Sequence, residues 1–185
     1  MQHAMLLLAL IALPTFVYGD DDEGEHGFGF GLFASKPGVA PVNNDMYRKN
    51  CAECHFAYQP GLLPKRSWEK MMEAKALANH FGDNAELAEN ERAEISSYLV
   101  HNAADNSDYK RSVKMMGSIR DDETPLRISE VKYFKKKHHE IPMRMVTENV
   151  KVKSWSNCAA CHMSAEKGSY DEDGVRIPGF GRWED

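Results

Sequence analysis

The pentapeptide Cys51-Ala52-Glu53-Cys54-His55 recurs as Cys158-Ala159-Ala160-Cys161-His162, and the two copies use all 4 cysteines of the chain. Cys-x-x-Cys-His is the attachment run of c-type haem. On one helical turn, sulfurs three residues apart face the same side and can bond the two vinyl groups of one porphyrin. The next residue then lies beneath the ring and offers the iron an imidazole nitrogen. Two copies predict two covalently attached c-type haems, held by Cys51, Cys54, Cys158 and Cys161, with His55 and His162 as proximal ligands. A redox dithiol, a four-cysteine zinc centre and a disulfide framework are the competing chemistries. None of them explains a His directly after both pairs, and 4 cysteines in 185 residues are sparse for a disulfide scaffold.

Haem of this kind is attached outside the cytoplasm, and the N-terminal sequence agrees. Ala4 to Val17 is an apolar run, followed by Tyr18-Gly19 and the acidic Asp20-Asp21-Asp22-Glu23. Its length suits a secretory signal and is short for a membrane span. Val17 and Gly19 fit the −3 and −1 positions, which predicts cleavage near Gly19 and a periplasmic mature chain that is not membrane-embedded. An uncleaved anchor is the alternative reading.

The formal charge is −5, and ionised propionates on two haems add to it, which argues against a nucleic-acid partner. The charge is unevenly spread. Residues 20–109 hold 16 acids against 8 bases, whereas residues 110–153 hold 6 against 12, centred on Lys135-Lys136-Lys137. A charge run is most simply a solvated face, but such a dipole also raises encounter rates with redox partner proteins.

Four segments are expected: a signal peptide at 1–19, a flexible Gly/Phe-rich leader at 20–43, a first haem c domain at 44–109 and a second haem c segment at 110–185. The leader, with Pro37 and Pro41, reads as mobile or as a strap over the surface. Asn44 or Asp45 caps a short helix that enters the first motif. Ser67 caps a helix from Trp68 to Phe81 with Trp68, Met71, Met72 and Ala76 as its apolar stripe, and Gly82 stops it. A further helix runs from about Ala85 to Asn102, with Leu87, Ile95, Tyr98 and Leu99 inward. Residues 103–127 read as a polar connector. Ser129 caps a helix through Val131, Phe134 and His138, stopped near Pro142, and residues 143–153 are irregular. Ser154 or Ser156 caps the second motif helix, and the chain after Met163 is largely loop. The second haem then has few residues of its own to cover it, so it leans on the first domain or is more exposed.

Each iron needs its other axial position described, because a His, a Met or an open site gives a different function. His3 leaves with the signal and His26 lies in the leader. His80, just before Gly82, is the leading metal ligand for the first haem, with His101 as substitute. Met71 and Met72 would serve as sulfur ligands but match the core stripe. His138 and His139 are the histidine candidates in the second half, and neighbours on a helix face different ways, so one of them points away. Met143 and Met145 are the sulfur alternatives there, whereas Met163 directly follows His162 and cannot reach the opposite face of the same ring. Arg66 and Arg176 are candidate propionate partners.

These residues resemble the periplasmic dihaem cytochromes c of the DHC type. The resemblance runs from Cys51-Ala52-Glu53-Cys54-His55-Phe56-Ala57-Tyr58-Gln59-Pro60-Gly61-Leu62-Leu63-Pro64 through Arg66-Ser67-Trp68, His80-Phe81-Gly82, Tyr98-Leu99 and Asn102-Ala103-Ala104. It continues in Tyr133-Phe134 with His138, Glu140, Ile141 and Pro142, then Asn157 to His162, and Asp171-Glu172 with Val175-Arg176-Ile177-Pro178. It implies a mainly α fold, in which an N-terminal domain like a class I cytochrome c is followed by a less regular C-terminal segment that wraps the second haem. It also implies bis-His ligation at both irons, by His80 and His138, and single-electron transfer between a membrane cytochrome b and a small soluble haem protein. The leader and the doubled His138-His139 are not part of the family pattern, which keeps His139 as a substitute. The rival classes are a haem enzyme of peroxidase or nitrogen-oxide reductase type, and a haem-based ligand sensor. Both require an iron with an open site.

Overall fold

Asn44 has extended backbone, and its Oδ1 accepts from the Tyr47 N–H at 2.6 Å, which starts helix α1 (Asp45–Cys51). The computed structural model describes residues 37–183. The predicted signal segment and the leader up to residue 36 lie outside the described residues. Of the two readings of the leader, its described end is the strap. Val39 is fully buried, and the Gly38 and Val39 N–H groups both donate to the Gly168 carbonyl, at 2.9 and 3.1 Å.

The helix expected from Trp68 to Phe81 is instead two short ones, α2 (Lys65–Met71) and α3 (Ala74–Leu77). Ser67 is not the cap. It lies fully buried inside α2, which begins after Pro64, whose fixed φ suits a helix start. The break falls at Glu73, whose backbone is extended, and the Arg92 guanidinium takes up the Met72 carbonyl at 3.0 Å. Gly82 does not end a helix either. Phe81 and Gly82 both have positive φ, 57° and 110°, and form the two central residues of a tight turn. His80 and Asp83 exchange backbone hydrogen bonds of 2.7 and 3.2 Å across it.

Helix α4 (Glu89–His101) follows, with Ile95 and Leu99 buried and Tyr98 packed against the core as the periodicity predicts, but it starts after the expected Ala85, so Leu87 meets the core from the segment before the helix. Its packing partners include α1, where Tyr47 and Tyr98 lie 5.8 Å apart, and α2. The expected connector at 103–127 contains a helix, α5 (Lys110–Gly117). Ser112 and Met115 form its buried stripe at helical spacing, and Ile119, just past its end, is buried beside them. Helix α6 (Lys132–His138) begins at Val131, later than the predicted Ser129 cap, and the Tyr133 N–H is held by the Ser118 hydroxyl at 3.1 Å.

The second motif lies on a single 3-10 turn, Cys158–Ala160, and not on a capped helix. Ser154 instead accepts from the Ser156 N–H at 3.1 Å. The chain after Met163 is irregular apart from a two-stranded hairpin, β1 (Arg176–Ile177) and β2 (Gly181–Arg182), paired Arg176 to Arg182 and Ile177 to Gly181. The described residues belong to one compact unit. One core joins Tyr47, Trp68, Ile95 and Leu99 to Met115, Ile119 and Val131. The architecture is mainly α, and no helix among the described residues is long and apolar enough to cross a membrane.

Candidate haem sites

The motif cysteines sit where helical order gives out. Cys51 ends α1, Cys54 is exposed in the turn beyond it, and the first motif closes with the half-buried His55. In the second motif, the Cys161 and His162 N–H groups both donate to the Cys158 carbonyl, at 3.1 and 2.8 Å, which coils the five residues into one turn. All four thiols are free. The described residues contain no group of three or more His, Cys, Asp or Glu side chains placed to hold a metal ion, so the cysteines do not converge on a zinc-type centre. Burial pushes the Cys51 and Cys158 thiols up to about 11. Redox-active cysteines have lowered values, so this environment is the reverse of a dithiol catalyst's.

Each motif histidine faces a second one. The rings of His55 and His80 lie 6.5 Å apart, tilted by 33°. Those of His162 and His138 lie 6.1 Å apart, at 75°. A metal midway between two imidazoles, bonded to each at about 2 Å, requires ring centres about 6 Å apart. The substitutes are placed elsewhere. His101 is exposed at the end of α4, and His139 is exposed with its Nδ1 2.9 Å from the Lys136 carbonyl. Met72 is core and Met71 packs against it, while Met143 and Met163 are exposed and Met145 does not line the cleft described below.

Backbone carbonyls orient two of the four rings. The Nδ1 of His55 lies 2.8 Å from the Phe56 carbonyl, and that of His138 lies 2.8 Å from the Phe134 carbonyl. Such bonds fix the tautomer that leaves Nε2 free for a metal. Tyr58 stacks on His55 at 4.6 Å and Phe134 stacks on His138 at 3.9 Å, with Trp155 edge-on at 5.8 Å. Burial, then the neighbouring His55 and Arg127, lowers the His80 pKa. Burial also lowers that of His138, and burial with His138 and Arg111 takes His162 down to about 4. Neutral imidazole is the form that binds iron.

The His162–His138 pair opens into a cleft of about 1080 Å³ counted out to open solvent, with walls that include Leu62, Met115, Phe134, Trp155, Val175 and Ile177. Both motif cysteines of this half, Cys158 and Cys161, line it, and the buried Nδ1 of His162 has no hydrogen-bond partner. Two thiols, two facing imidazoles and an apolar wall fit a covalently bound porphyrin.

Side chains from the first half brace the backbone of the second. The Tyr58 hydroxyl donates to the Ser156 carbonyl, and the fully buried Gln59 donates from Nε2 to the Ala165 carbonyl at 2.7 Å. Hydrogen bonds therefore tie the residues around the second motif to those after the first. Neither Gln59 nor Tyr170 stands out in the sequence, because their partners lie about a hundred positions away. Arg111 was equally hidden, as one base within a basic stretch. The Arg66 guanidinium, by contrast, is occupied by the carbonyls of Glu123 and Arg120 at 2.6 and 2.8 Å, and Arg176 is exposed.

Two histidine pairs, each beside a Cys-x-x-Cys-His run on a mainly helical frame, define a c-type cytochrome with two haem sites. The dihaem cytochrome c (DHC) family matches residues 47–170, and the chain belongs to that family. Family membership brings two c-type haems and is consistent with electron transfer. The diheme cytochrome c sb-DHC of Shewanella baltica OS155 is 43% identical, with 76% of this chain and 98% of that chain covered and a TM-score of 0.62. A diheme cytochrome c from Rhodobacter sphaeroides is 46% identical over 71% of this chain and 100% of its own, with a TM-score of 0.62. A second structure, of DHC purified from Rhodobacter sphaeroides, gives 45%, 70%, 99% and 0.56. No curated protein matches the chain.

Proposed function

We propose that the protein carries single electrons outside the cytoplasm, between a membrane cytochrome b and a small soluble haem protein, with two low-spin bis-His haems. His55 and His80 are the axial pair of the first haem, and His162 and His138 that of the second. The observation that carries this reading is the spacing of the two imidazole pairs, 6.5 and 6.1 Å between ring centres. Each haem supplies a one-electron ferric–ferrous couple.

The protein side of the task is to keep both axial positions filled, so that little rearranges as charge moves. His80 is delivered by a closed turn and His138 by the last residue of a helix, each on ordered backbone. A distal histidine on each side also disfavours an enzyme or sensor, which needs a vacant coordination position and acid–base groups beside it. The apolar run at 4–17 supports export to the periplasm.

Low-temperature electron paramagnetic resonance on the ferric holoprotein tests the assignment. Two low-spin His/His species are expected, one lost in His80→Met and the other in His138→Met. A high-spin ferric signal in the parent protein, or a variant spectrum identical to the parent's, overturns it.

A further inference from the structure

The cleft between His138 and His162 contains a cation that axial ligation leaves without a task. Arg111 lies in the first turn of α5 and its side chain lines the cleft. Its Nη2 donates to the Tyr170 carbonyl at 3.2 Å, and its guanidinium carbon is 5.6 Å from the centre of the Tyr170 ring. Its Nε is shielded from solvent and has no hydrogen-bond partner. Among the described residues it pairs with no carboxylate. Of the acids nearby, Glu172 is 3.5 Å from the Lys137 ammonium and Asp171 accepts from the Ser169 hydroxyl at 2.8 Å.

Arg111 is also braced from behind. Its N–H donates to the Gly38 carbonyl at 3.0 Å, on the strap that Gly168 fastens. A Cβ on Gly38 would stand 3.1 Å from the Arg111 Nε, so the strap passes directly behind the guanidinium. His138 and His162 line the same cleft as the Arg111 side chain.

A shielded cation is stable when an anion meets it, and the planar fork of Arg matches a carboxylate. We propose that Arg111 forms a carboxylate-binding subsite of this cleft, which holds an ionised propionate of the second haem, with the strap at Pro37–Val39 fixing its aim. This rests on the reading that the second haem lies between His138 and His162. A fixed positive charge beside that iron favours its ferrous form, so Arg111 is a positioning residue that also sets the potential of one haem more than the other.

The test is a potentiometric titration of the mature dihaem protein, with the two ferric low-spin signals followed separately and assigned by His80→Met and His138→Met. Arg111→Gln is expected to lower the reduction equilibrium constant of the second haem at least tenfold, ~59 mV for one electron, with a much smaller change at the first. Arg111→Lys keeps the charge and recovers at least half of the loss. Gly38→Ala displaces the Nε without removing charge and shifts the same haem by less. If Arg111→Gln retains two low-spin haems and both potentials stay at parent values, the subsite is disproved while the haem placement stands. If Arg111→Gln does not load its second haem, unchanged potentials in both Arg111→Lys and Gly38→Ala overturn it instead. If His138→Met leaves both low-spin signals intact, the placement itself fails, and the subsite with it.

Discussion

Tyr170 and Gln59, 111 positions apart in the chain, meet inside the molecule, where the tyrosine hydroxyl donates to the Gln59 Oε1 at 2.6 Å. The same side-chain amide donates to the Ala165 carbonyl, so one fully buried group ties the first motif's segment to the second at both ends. Tyr170→Phe strands the Gln59 oxygen and is expected to cost about 1–3 kcal/mol. Gln59→Leu strands two partners and costs more. Guanidinium unfolding followed at the Soret band measures both, and equal stability of Gln59→Leu and the parent would refute the role given to this contact.

Gly168 has φ of 78°, and a Cβ there would stand 2.2 Å from the Val39 carbonyl oxygen. Gly179, at 87°, has open space around the same position. Gly179→Ala should therefore cost only the left-handed backbone, about 1–2 kcal/mol. Gly168→Ala should cost clearly more and loosen the strap, visible as faster amide exchange at Gly38 and Val39. Equal costs for the two variants would mean that the strap adds nothing.

Met115→Ala removes a buried side chain from α5 and should destabilise the protein by about 2–5 kcal/mol. The neighbouring Val113, more than half exposed, serves as the control and should cost little when replaced by Ala. Thermal unfolding of the two variants compares them directly.

Acid stability follows from the neutral histidines. An unfolded chain begins to protonate His162 near pH 6.5, whereas the folded chain holds it neutral down to about 4 because it is buried. Between those values the unfolded state binds more protons, so folding stability falls as pH falls, by up to about 3 kcal/mol for this group alone. His80 and His138 are lowered in the same direction and add to the loss. The expectation is for the haem-free chain, in which no iron competes with the proton for these rings. Denaturation midpoints at pH 7, 5.5 and 4.5 should decline in that order, and a flat profile would contradict the argument.

His139→Ala should leave the visible and paramagnetic spectra unchanged, since its ring is exposed and turned toward Lys136 and Glu140. His138→Ala should yield a haem that binds cyanide rapidly. The reverse result would exchange their roles.

Local signals made much of the molecule legible in the sequence. Helix α4 was readable because Ile95, Tyr98 and Leu99 repeat at helical spacing, and the turn beside His80 because Gly82 marks a place where the chain must change direction. The Trp68–Phe81 stretch misled because its stripe is continuous through Met72, whereas the break depends on Arg92 reaching back from α4 to a carbonyl. Helix α5 was hidden because its buried face includes Ser112, a polar residue, and because Lys110, Arg111 and Lys114 make the stretch read as polar. Gln59, Arg111 and Tyr170 acquire their roles only from partners remote in the chain, and no local pattern encodes those.

The Tyr58 and Gln59 contacts bear on engineering. Because these neighbours supply hydrogen bonds to the far compartment, a chimera that borrowed one half from a relative would inherit a mismatched lining, however good its own helices. Paired substitutions on opposite sides of that seam are then non-additive, and optimising either centre in isolation would detune the other.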